Sequence, residues 1–372
     1  MKLFDVYSLL PVEIVKGLGA KVWDAKGVEY LDYYTGHAVV SIGHSHPYYV
    51  STLKAQLEKL GFYSNSVVNR LQSRLAERVG EVSGYEDYTL FMINSGAEAN
   101  ENALKLASFV NGKRRVIAFK GSFHGRTSAA VAVTDNRSIV APVNEGLEVV
   151  FVPFNEAAAV EAELKKGGVT AIIVEAIQGV GGIRIATDEF LVSLEELATR
   201  YDACLIMDEV QAGWGRSGRF FAHEWAGIKP DIITVGKGMG NGFPVAGVLI
   251  SGGIAARKGM LGTTFGGNHL ACAAALAVLD VIEAEELIAN AEEIGGYLMG
   301  EIRKMGVKEV RGKGLMIGID LEGGVKEVRR RLLEEQRVLT GVSGEDTIRL
   351  LPPLSLRREE AEEFIERFRA VL

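Results

Sequence analysis

Six short apolar runs recur through the middle of the chain, most of them four to six residues long and rich in Val, Ile and Phe. The runs are Thr89–Ile93, Val116–Phe119, Val149–Val152, Ala171–Val174, Cys204–Met207 and Ile232–Val235. Stretches with helical periodicity lie between several of them, as in Ala97–Val110 and Glu189–Arg200. Continuous apolar strands that alternate with helices are typical of a mainly parallel sheet with helices on both faces. The pattern therefore predicts an α/β fold.

The last third of the chain has a different pattern. Ala273–Met305 is rich in Ala, Leu and Glu at helical spacing, which predicts one long helix or two. Val310–Leu321 predicts strands around glycine turns, and Arg357–Leu372 predicts a charged amphipathic helix. This mixture indicates a smaller α+β domain after the large one.

Strand signals also occur near the start of the chain, at Lys21–Trp23 and Glu29–Tyr33. We expect these early strands to pack with the C-terminal part of the protein. The expected units are an N-terminal segment over residues 1–44 that packs with the small domain, a large domain over residues 45–275, and the small domain over residues 276–372.

Length and charge narrow the class of protein. A chain of 372 residues is long enough for about two domains. Its formal net charge of -7 gives no global attraction for nucleic acid or an anionic membrane, so an anionic ligand has to be held by local groups. No apolar run approaches the roughly 18 to 20 residues of a membrane span, and the N-terminus lacks the pattern of a signal peptide.

The two cysteines, Cys204 and Cys272, lie in apolar stretches of sequence. Such surroundings favour buried free thiols over a disulfide bond, which fits a reducing compartment. We therefore expect a cytoplasmic protein with no metal site and with no nucleic-acid or membrane partner.

Candidate functional residues follow the apolar runs, because open α/β sheets bind ligands at the carboxyl ends of their strands. Ser95 and Gly96 follow the first run, where a helix N-terminus could bind a phosphate, although a serine cap with a tight turn explains them as well. Asp208 ends another run. It could pair with the ring N–H of a ligand, or it could be a helix cap or an ion-pair partner.

Lys237 lies between Gly236 and Gly238, directly after the last apolar run. Small neighbours leave room for a bulky group at its amine, and burial makes an amine a better nucleophile. The glycine-rich loop does not have the spacing of a nucleotide-binding loop, and no G-x-G-x-x-G opens a helix early in the chain.

A phosphate-binding turn, an acid and a lysine thus occur in this order, each at a strand end. Pyridoxal 5′-phosphate needs a helix N-terminus for its phosphate, a carboxylate for its ring nitrogen and a lysine amine for its aldehyde. The three signals together predict a pyridoxal-phosphate site.

Longer motifs carry a family resemblance that runs from Gly36 to Pro353. The motifs are GHSHP (Gly43–Pro47), NSGAEANENALKLA (Asn94–Ala107), SFHGRT (Ser122–Thr127), DEVQAGWGRSG (Asp208–Gly218), DIITVGKGMGNGFPVAG (Asp231–Gly247) and TTFGGNHLACAAA (Thr263–Ala275). With them the chain resembles the class III, or ω-amino acid, aminotransferases, and most closely their acetylornithine and succinylornithine branch. This resemblance implies the fold-type I architecture of pyridoxal-phosphate-dependent transferases.

The resemblance implies a role for each residue around the cofactor ring. Lys237 holds the cofactor as a Schiff base and then moves the proton, so Lys237 and Asp208 are the catalytic pair. Asp208 pairs with the pyridine nitrogen, and Gln211 reaches the ring hydroxyl. Val210 packs on one face of the ring and Phe123 on the other, although Phe123 could also be an ordinary core residue.

The resemblance also assigns the phosphate and substrate positions. Ser95, Gly96 and Ala97 bind the phosphate, and Thr264 of a neighbouring subunit completes the site, which implies a homodimer. Arg126 corresponds to the arginine that binds the α-carboxylate of the substrate, a task that suits a planar guanidinium group.

Two departures from the family pattern concern the substrate. The usual E-P-x-Q-G-E-x-G begins here at Glu175, expected to be a substrate-binding residue, but Val180 replaces the second glutamate. In relatives that glutamate pairs with an arginine, matched here by Arg349. Arg349 is therefore expected to stay available to a carboxylate, such as that of a succinyl group, or to pair with another acid, or to serve only glutamate and 2-oxoglutarate. His37 replaces an aliphatic residue and could bind the acyl group or pack the loop, and His124 is expected to position a loop.

We therefore expect an aminotransferase that moves the terminal amine of N-acetylornithine or N-succinylornithine to 2-oxoglutarate, in arginine biosynthesis. The alternatives are an ornithine or other ω-amino acid aminotransferase and an aminomutase of the glutamate-semialdehyde type. A pyridoxal-phosphate-binding regulator would carry an additional DNA-binding domain, and no basic helix-turn-helix segment precedes the predicted fold.

Overall fold

The structure, a computed structural model, describes all 372 residues of the chain. The strands are β1 (Ile14–Leu18), β2 (Lys21–Asp24), β3 (Glu29–Tyr33), β4 (Thr89–Ile93), β5 (Arg115–Phe119), β6 (Val149–Val152), β7 (Val169–Val174), β8 (Ile177–Gln178), β9 (Arg184–Ile185), β10 (Cys204–Asp208), β11 (Ile232–Val235), β12 (Ala246–Ile250), β13 (Glu309–Lys313), β14 (Met316–Asp320), β15 (Val338–Ser343) and β16 (Thr347–Leu350). The helices are α1 (Thr35–Ala38), α2 (Pro47–Lys59), α3 (Arg70–Ser83), α4 (Gly96–Asn111), α5 (Ser128–Ala132), α6 (Ala157–Leu164), α7 (Asp188–Arg200), α8 (His269–Ala284), α9 (Leu287–Arg303), α10 (Val325–Glu334) and α11 (Arg358–Arg369).

Seven strands form the large sheet, in the order β4-β12-β11-β10-β7-β5-β6. β12 is antiparallel to both of its neighbours, β4 and β11, and the other neighbouring strands pair in parallel. This sheet confirms the predicted α/β fold with a mainly parallel sheet.

Successive residues of the central strands face opposite sides of the sheet, as the pleat of a strand requires. In β5, Val116 and Ala118 belong to the core that includes buried residues of α4. Ile117 and Phe119 belong to a different core, shared with α6 and α7. Helices therefore cover both faces, which explains why these strands are continuously apolar.

The reversal of β12 determines which strand ends meet. Because β12 is antiparallel to both β4 and β11, β4 runs in the same direction as the parallel strands. The carboxyl ends of β4, β5, β7, β10 and β11 consequently lie along one edge of the sheet, where ligands bind in open α/β folds.

A second sheet joins the two ends of the chain, in the order β1-β2-β3-β15-β16-β14-β13. β3 pairs with β15 in parallel, and the other pairs are antiparallel. The helix α8 (His269–Ala284) runs through residue 275, so the division of the chain at residues 44 and 275 stays a prediction.

The helical stretch of the last third forms two helices rather than one. α8 ends before Glu286, whose φ of 51° lies in the left-handed region, and α9 begins at the next residue. β13 and β14 form a hairpin around Gly314, and α11 ends the chain. No helix is both long and apolar enough to cross a membrane.

Candidate active site

Lys237 is separated from the end of β11 by one residue, Gly236. It begins a single turn of 3₁₀ helix. Its φ of 41° lies in the left-handed region, which is unfavourable for a residue with a side chain. Its Nζ atom makes no hydrogen bond and no ion pair. Burial lowers the pKa of this amine, and the carboxylates of Asp208 and Glu175 partly oppose that shift. The result is an unpaired amine that can act as a nucleophile.

Asp208 is the last residue of β10, and only 4% of its surface is exposed. Its Oδ2 atom accepts hydrogen bonds from Asn100 Nδ2 and from the His124 ring, both at 2.7 Å. Its Oδ1 atom accepts one from the Val210 amide at 3.0 Å. Three donors thus hold this buried carboxylate in one orientation.

The N-terminus of α4 follows β4, the strand at one edge of the large sheet. Ser95 is the helix cap, since its hydroxyl accepts a hydrogen bond from the Glu98 amide at 3.2 Å. A Cβ atom at Gly96 would lie 2.4 Å from Cγ1 of Val210, so only glycine lets the helix start this close to Val210. The first amides of α4 have no acceptor within the helix and can bind an anion.

These strand ends enclose a cavity of about 250 Å³. The lining residues are Gly96, Ala97, Asn100, Phe123, His124, Gly125, Arg126, Glu175, Val180, Asp208, Val210, Gln211 and Lys237. The structure thus brings together nine of the residues predicted for the site, namely Gly96, Ala97, Phe123, Arg126, Glu175, Asp208, Val210, Gln211 and Lys237. The four predicted residues outside this lining are Ser95, His37, Thr264 and Arg349.

Glu175 contacts the backbone on two sides of the cavity. Oε1 accepts a hydrogen bond from the Phe123 amide and Oε2 accepts one from the Gly179 amide, both at 3.0 Å. Burial raises the pKa of Glu175 to about 7. Glu175 therefore connects the loop that carries Phe123 with the hairpin that follows β7.

Arg349, in β16, is a buried guanidinium group without a carboxylate partner. Nε donates to the Val342 carbonyl and Nη1 donates to the Gly179 carbonyl, both at 3.0 Å. Only 4% of its surface is exposed, and burial lowers its pKa. No carboxylate of this chain lies within ion-pair distance of Arg349.

His37 lies in a left-handed turn, in which Thr35, His37 and Ala38 all have positive φ values. Its carbonyl accepts a hydrogen bond from Gln211 Nε2 at 3.0 Å, and its ring lies 2.6 Å from the Tyr34 hydroxyl. Burial, followed by the charges of Arg349 and Lys237, lowers the pKa of His37. His37 is therefore a neutral hydrogen-bonding group near Arg349.

The structure also locates Thr264 and the two cysteines. Thr264 is exposed and lies in a loop before α8, away from the cavity of its own chain. Cys204 and Cys272 are buried free thiols. No group of three or more His, Cys, Asp or Glu side chains that could hold a metal ion is found.

Two residues at the site were not predicted from the sequence. Asn100 and Thr234 are buried, with relative exposures of 1% and 0%, and a hydrogen bond of 2.7 Å joins their side chains. The available signal was a polar residue on the buried face of a helix and another inside an apolar strand.

The sequence model of the family described as aminotransferase class III matches residues 5–372, almost the whole chain. This chain belongs to the class III aminotransferases. The acetylornithine aminotransferase of Bacillus subtilis is 38% identical over 379 aligned residues, which cover 100% of this chain and 97% of the relative.

Solved structures of two aminotransferases have the same fold. N-acetylornithine aminotransferase from Stenotrophomonas maltophilia superposes with a TM-score of 0.85 at 33% identity, covering 97% of this chain and 95% of the other. Ornithine aminotransferase from Toxoplasma gondii, described with pyridoxal phosphate at partial occupancy in its active site, gives a TM-score of 0.90 at 30% identity, with coverages of 98% and 90%. The fold of this aminotransferase is thus the predicted fold-type I architecture.

Proposed function

We propose that this class III aminotransferase holds pyridoxal 5′-phosphate in the cavity and transfers the terminal amine of an N-acylornithine to 2-oxoglutarate. The observation that carries the proposal is the unpaired amine of Lys237 in the same cavity wall as the Asp208 carboxylate and the start of α4. A lysine amine, a carboxylate and a helix N-terminus match the aldehyde, the ring nitrogen and the phosphate of this cofactor.

An unused acceptor in the cavity wall supports the fit. The Oε1 atom of Gln211 is buried and makes no hydrogen bond, and a buried acceptor of this kind needs a donor such as a ring hydroxyl. Val210 and Phe123 would contact the ring, and Asp208 would accept the ring N–H. When bound, pyridoxal phosphate supplies an electron sink that stabilises the negative charge left on carbon after a proton is removed.

The amides of Gly96 and Ala97, at the start of α4, would bind the phosphate. Thr264 is exposed and outside the lining of the cavity. In our proposal it completes the phosphate site of a second copy of the chain, and the active form is a homodimer.

Lys237 would carry out the proton transfers. In its neutral form the Nζ atom would take the proton from the substrate carbon that bears the transferred nitrogen and later return a proton. Over the full cycle the terminal amine of the donor becomes an aldehyde, and 2-oxoglutarate becomes glutamate. Arg126, at the exposed rim of the cavity, would bind the α-carboxylate of the substrate.

Dependence on the oxo acid tests the proposed reaction. Purified enzyme should form glutamate and a semialdehyde from N-acylornithine only when 2-oxoglutarate is present. An aminomutase rearranges one substrate and needs no acceptor, so turnover that continues without any oxo acid would contradict the proposal. In arginine biosynthesis the reaction would run in the opposite direction, with glutamate as the amine donor and the N-acyl aldehyde as the acceptor.

Arg349 is the residue that we expect to influence which acyl group the enzyme prefers. Arg349 donates only to backbone carbonyls. One of them belongs to Gly179, which directly precedes Val180, and Val180 lines the cavity. A buried guanidinium group without a counter-ion favours a substrate that brings its own carboxylate. We therefore expect succinylornithine to be used with a higher kcat/KM than acetylornithine, by about tenfold or more.

Replacing Val180 by glutamate should reduce this preference. The new carboxylate could pair with Arg349 and compete with a succinyl carboxylate, so the ratio of kcat/KM for succinylornithine over acetylornithine should fall by about tenfold. Val180→Gln is the matched control, because it has the same shape as Val180→Glu and no charge. Equal use of both substrates by the natural enzyme, or equal effects of the two variants, would contradict this account of Arg349.

A further inference from the structure

Three donors hold the Asp208 carboxylate, and two of them come from side chains to which the proposed reaction assigns no role. Asn100 Nδ2 and His124 Nδ1 both lie 2.7 Å from Oδ2, and the Val210 amide lies 3.0 Å from Oδ1. Oδ1 has only this one donor, so its second lone pair is free for another donor. The carboxylate is thus fixed in one orientation while it keeps acceptor capacity.

Hydrogen bonds fix the orientation of the Asn100 amide. Its Nδ2 donates to the His124 carbonyl as well as to Asp208, and its Oδ1 accepts from the Thr234 hydroxyl, each at 2.7 Å. Rotating the amide by half a turn would place Oδ1 against two other acceptors. The His124 carbonyl and the Asp208 carboxylate therefore select the orientation in which Asn100 donates to Asp208, and the Thr234 hydroxyl holds the amide oxygen in that orientation.

The network links three elements of the fold. Thr234 lies in β11, Asn100 in α4 and His124 in the loop after β5. Thr234 is also the direct neighbour of Asp208 in the parallel ladder between β10 and β11. The exposures of Asn100, His124 and Thr234 are 1%, 2% and 0%, so water does not compete for these bonds.

We propose that His124, Asn100 and Thr234 are positioning residues that hold the Asp208 carboxylate aimed at the ring nitrogen of the cofactor. This inference rests on the proposed function, since it concerns the residue that would face the cofactor ring. Removing one donor should weaken the hydrogen bond that Asp208 accepts from the ring N–H. None of the three residues takes part in the chemistry at Lys237.

Paired substitutions separate the donor from the shape of each side chain. His124→Leu removes the donor, whereas His124→Asn keeps an amide nitrogen at the same number of bonds from Cα as Nδ1. Thr234→Val removes the hydroxyl at nearly constant shape, whereas Thr234→Ser keeps it. The expected result for His124→Leu and Thr234→Val is about tenfold or greater loss of affinity of the apoenzyme for pyridoxal phosphate.

A second readout reports on the ring nitrogen itself. The ¹⁵N chemical shift of labelled cofactor in the holoenzyme should move toward that of the unprotonated ring in His124→Leu and Thr234→Val. The conservative variants His124→Asn and Thr234→Ser should restore it. An unchanged ¹⁵N shift and an unchanged affinity in His124→Leu and Thr234→Val would overturn the proposal. Losses of the same size in His124→Asn and Thr234→Ser would also overturn it.

His223 provides a matched control. Its ring also donates to a buried carboxylate, Glu209 Oε1 at 2.7 Å, but neither residue lines the cavity. His223→Leu should lower the melting temperature and leave the ¹⁵N shift unchanged, so an equal shift in this variant would also overturn the proposal. Failure of the natural apoenzyme to bind pyridoxal phosphate would instead contradict the proposed function.

Discussion

Replacing Lys237 by alanine is expected to lower kcat by about four orders of magnitude or more. The substitution removes the unpaired amine that would attach the cofactor and move the proton, and no other lysine lines the cavity. Steady-state formation of glutamate from N-acylornithine and 2-oxoglutarate is the measurement. Lys326→Ala, at an exposed position of α10 whose side chain makes no ion pair, is the matched control and should keep full activity.

Peptide mapping provides an independent test of the same residue. Reduction of the holoenzyme with borohydride should fix the cofactor on the peptide that contains Lys237 and on no other peptide. A Lys237→Ala enzyme that retains activity within tenfold of the natural one, or a label at a different lysine, would contradict the assignment.

Asp208→Asn is expected to reduce kcat/KM by about a thousandfold, the upper range for loss of one preorganised electrostatic group. The amide has nearly the same shape but no charge, so the ring nitrogen would lose the partner that favours its protonated form. The amide NH₂ would also face the donors of Asn100 or His124, leaving a buried donor without an acceptor.

Asp87→Asn is the control for this substitution, since Asp87 is exposed and its side chain makes no hydrogen bond or ion pair. Its kcat/KM should stay within about twofold of the natural value, because surface substitutions of this kind change little. If Asp208→Asn lost no more than tenfold in kcat/KM, the proposed pairing of Asp208 with the ring nitrogen would be wrong.

Six of the seven strands of the large sheet were predictable from the sequence. All six apolar runs correspond to strands, namely β4, β5, β6, β7, β10 and β11. Every residue of β5, β7, β10 and β11 is buried, and burial on both faces requires continuous apolar sequence. β12 was not predicted. It follows Pro244 in a glycine-rich stretch, and its antiparallel position between β4 and β11 depends on tertiary pairing.

The C-terminal elements were predictable only in part. α10 has few apolar residues and packs its buried side against β15, so neither a long apolar run nor a clear alternation marks the pair. The break between α8 and α9 occurs at a left-handed glutamate, Glu286, for which the sequence has no glycine signal.

At the site, the sequence predicted the functional residues at the strand ends but not the buried residues that hydrogen-bond around them. Lys237 and Asp208 stand out because each polar side chain directly follows apolar residues. Asn100 and Thr234 could not be connected from sequence, since their contact depends on how α4 lies against β11. For Ser95 the sequence allowed two roles, a helix cap and a phosphate ligand, and in the structure its hydroxyl caps α4.

The half-reaction of the enzyme with a series of amines tests the central proposal most directly. Holoenzyme is mixed, without an oxo acid, with N-succinylornithine, N-acetylornithine, ornithine or γ-aminobutyrate, while the visible absorbance of the bound cofactor is followed. We expect the two N-acylornithines to bleach this absorbance faster than the other amines, and 2-oxoglutarate to restore it. If no amine bleached it, or if ornithine or γ-aminobutyrate did so faster than both N-acylornithines, the proposed function would be contradicted.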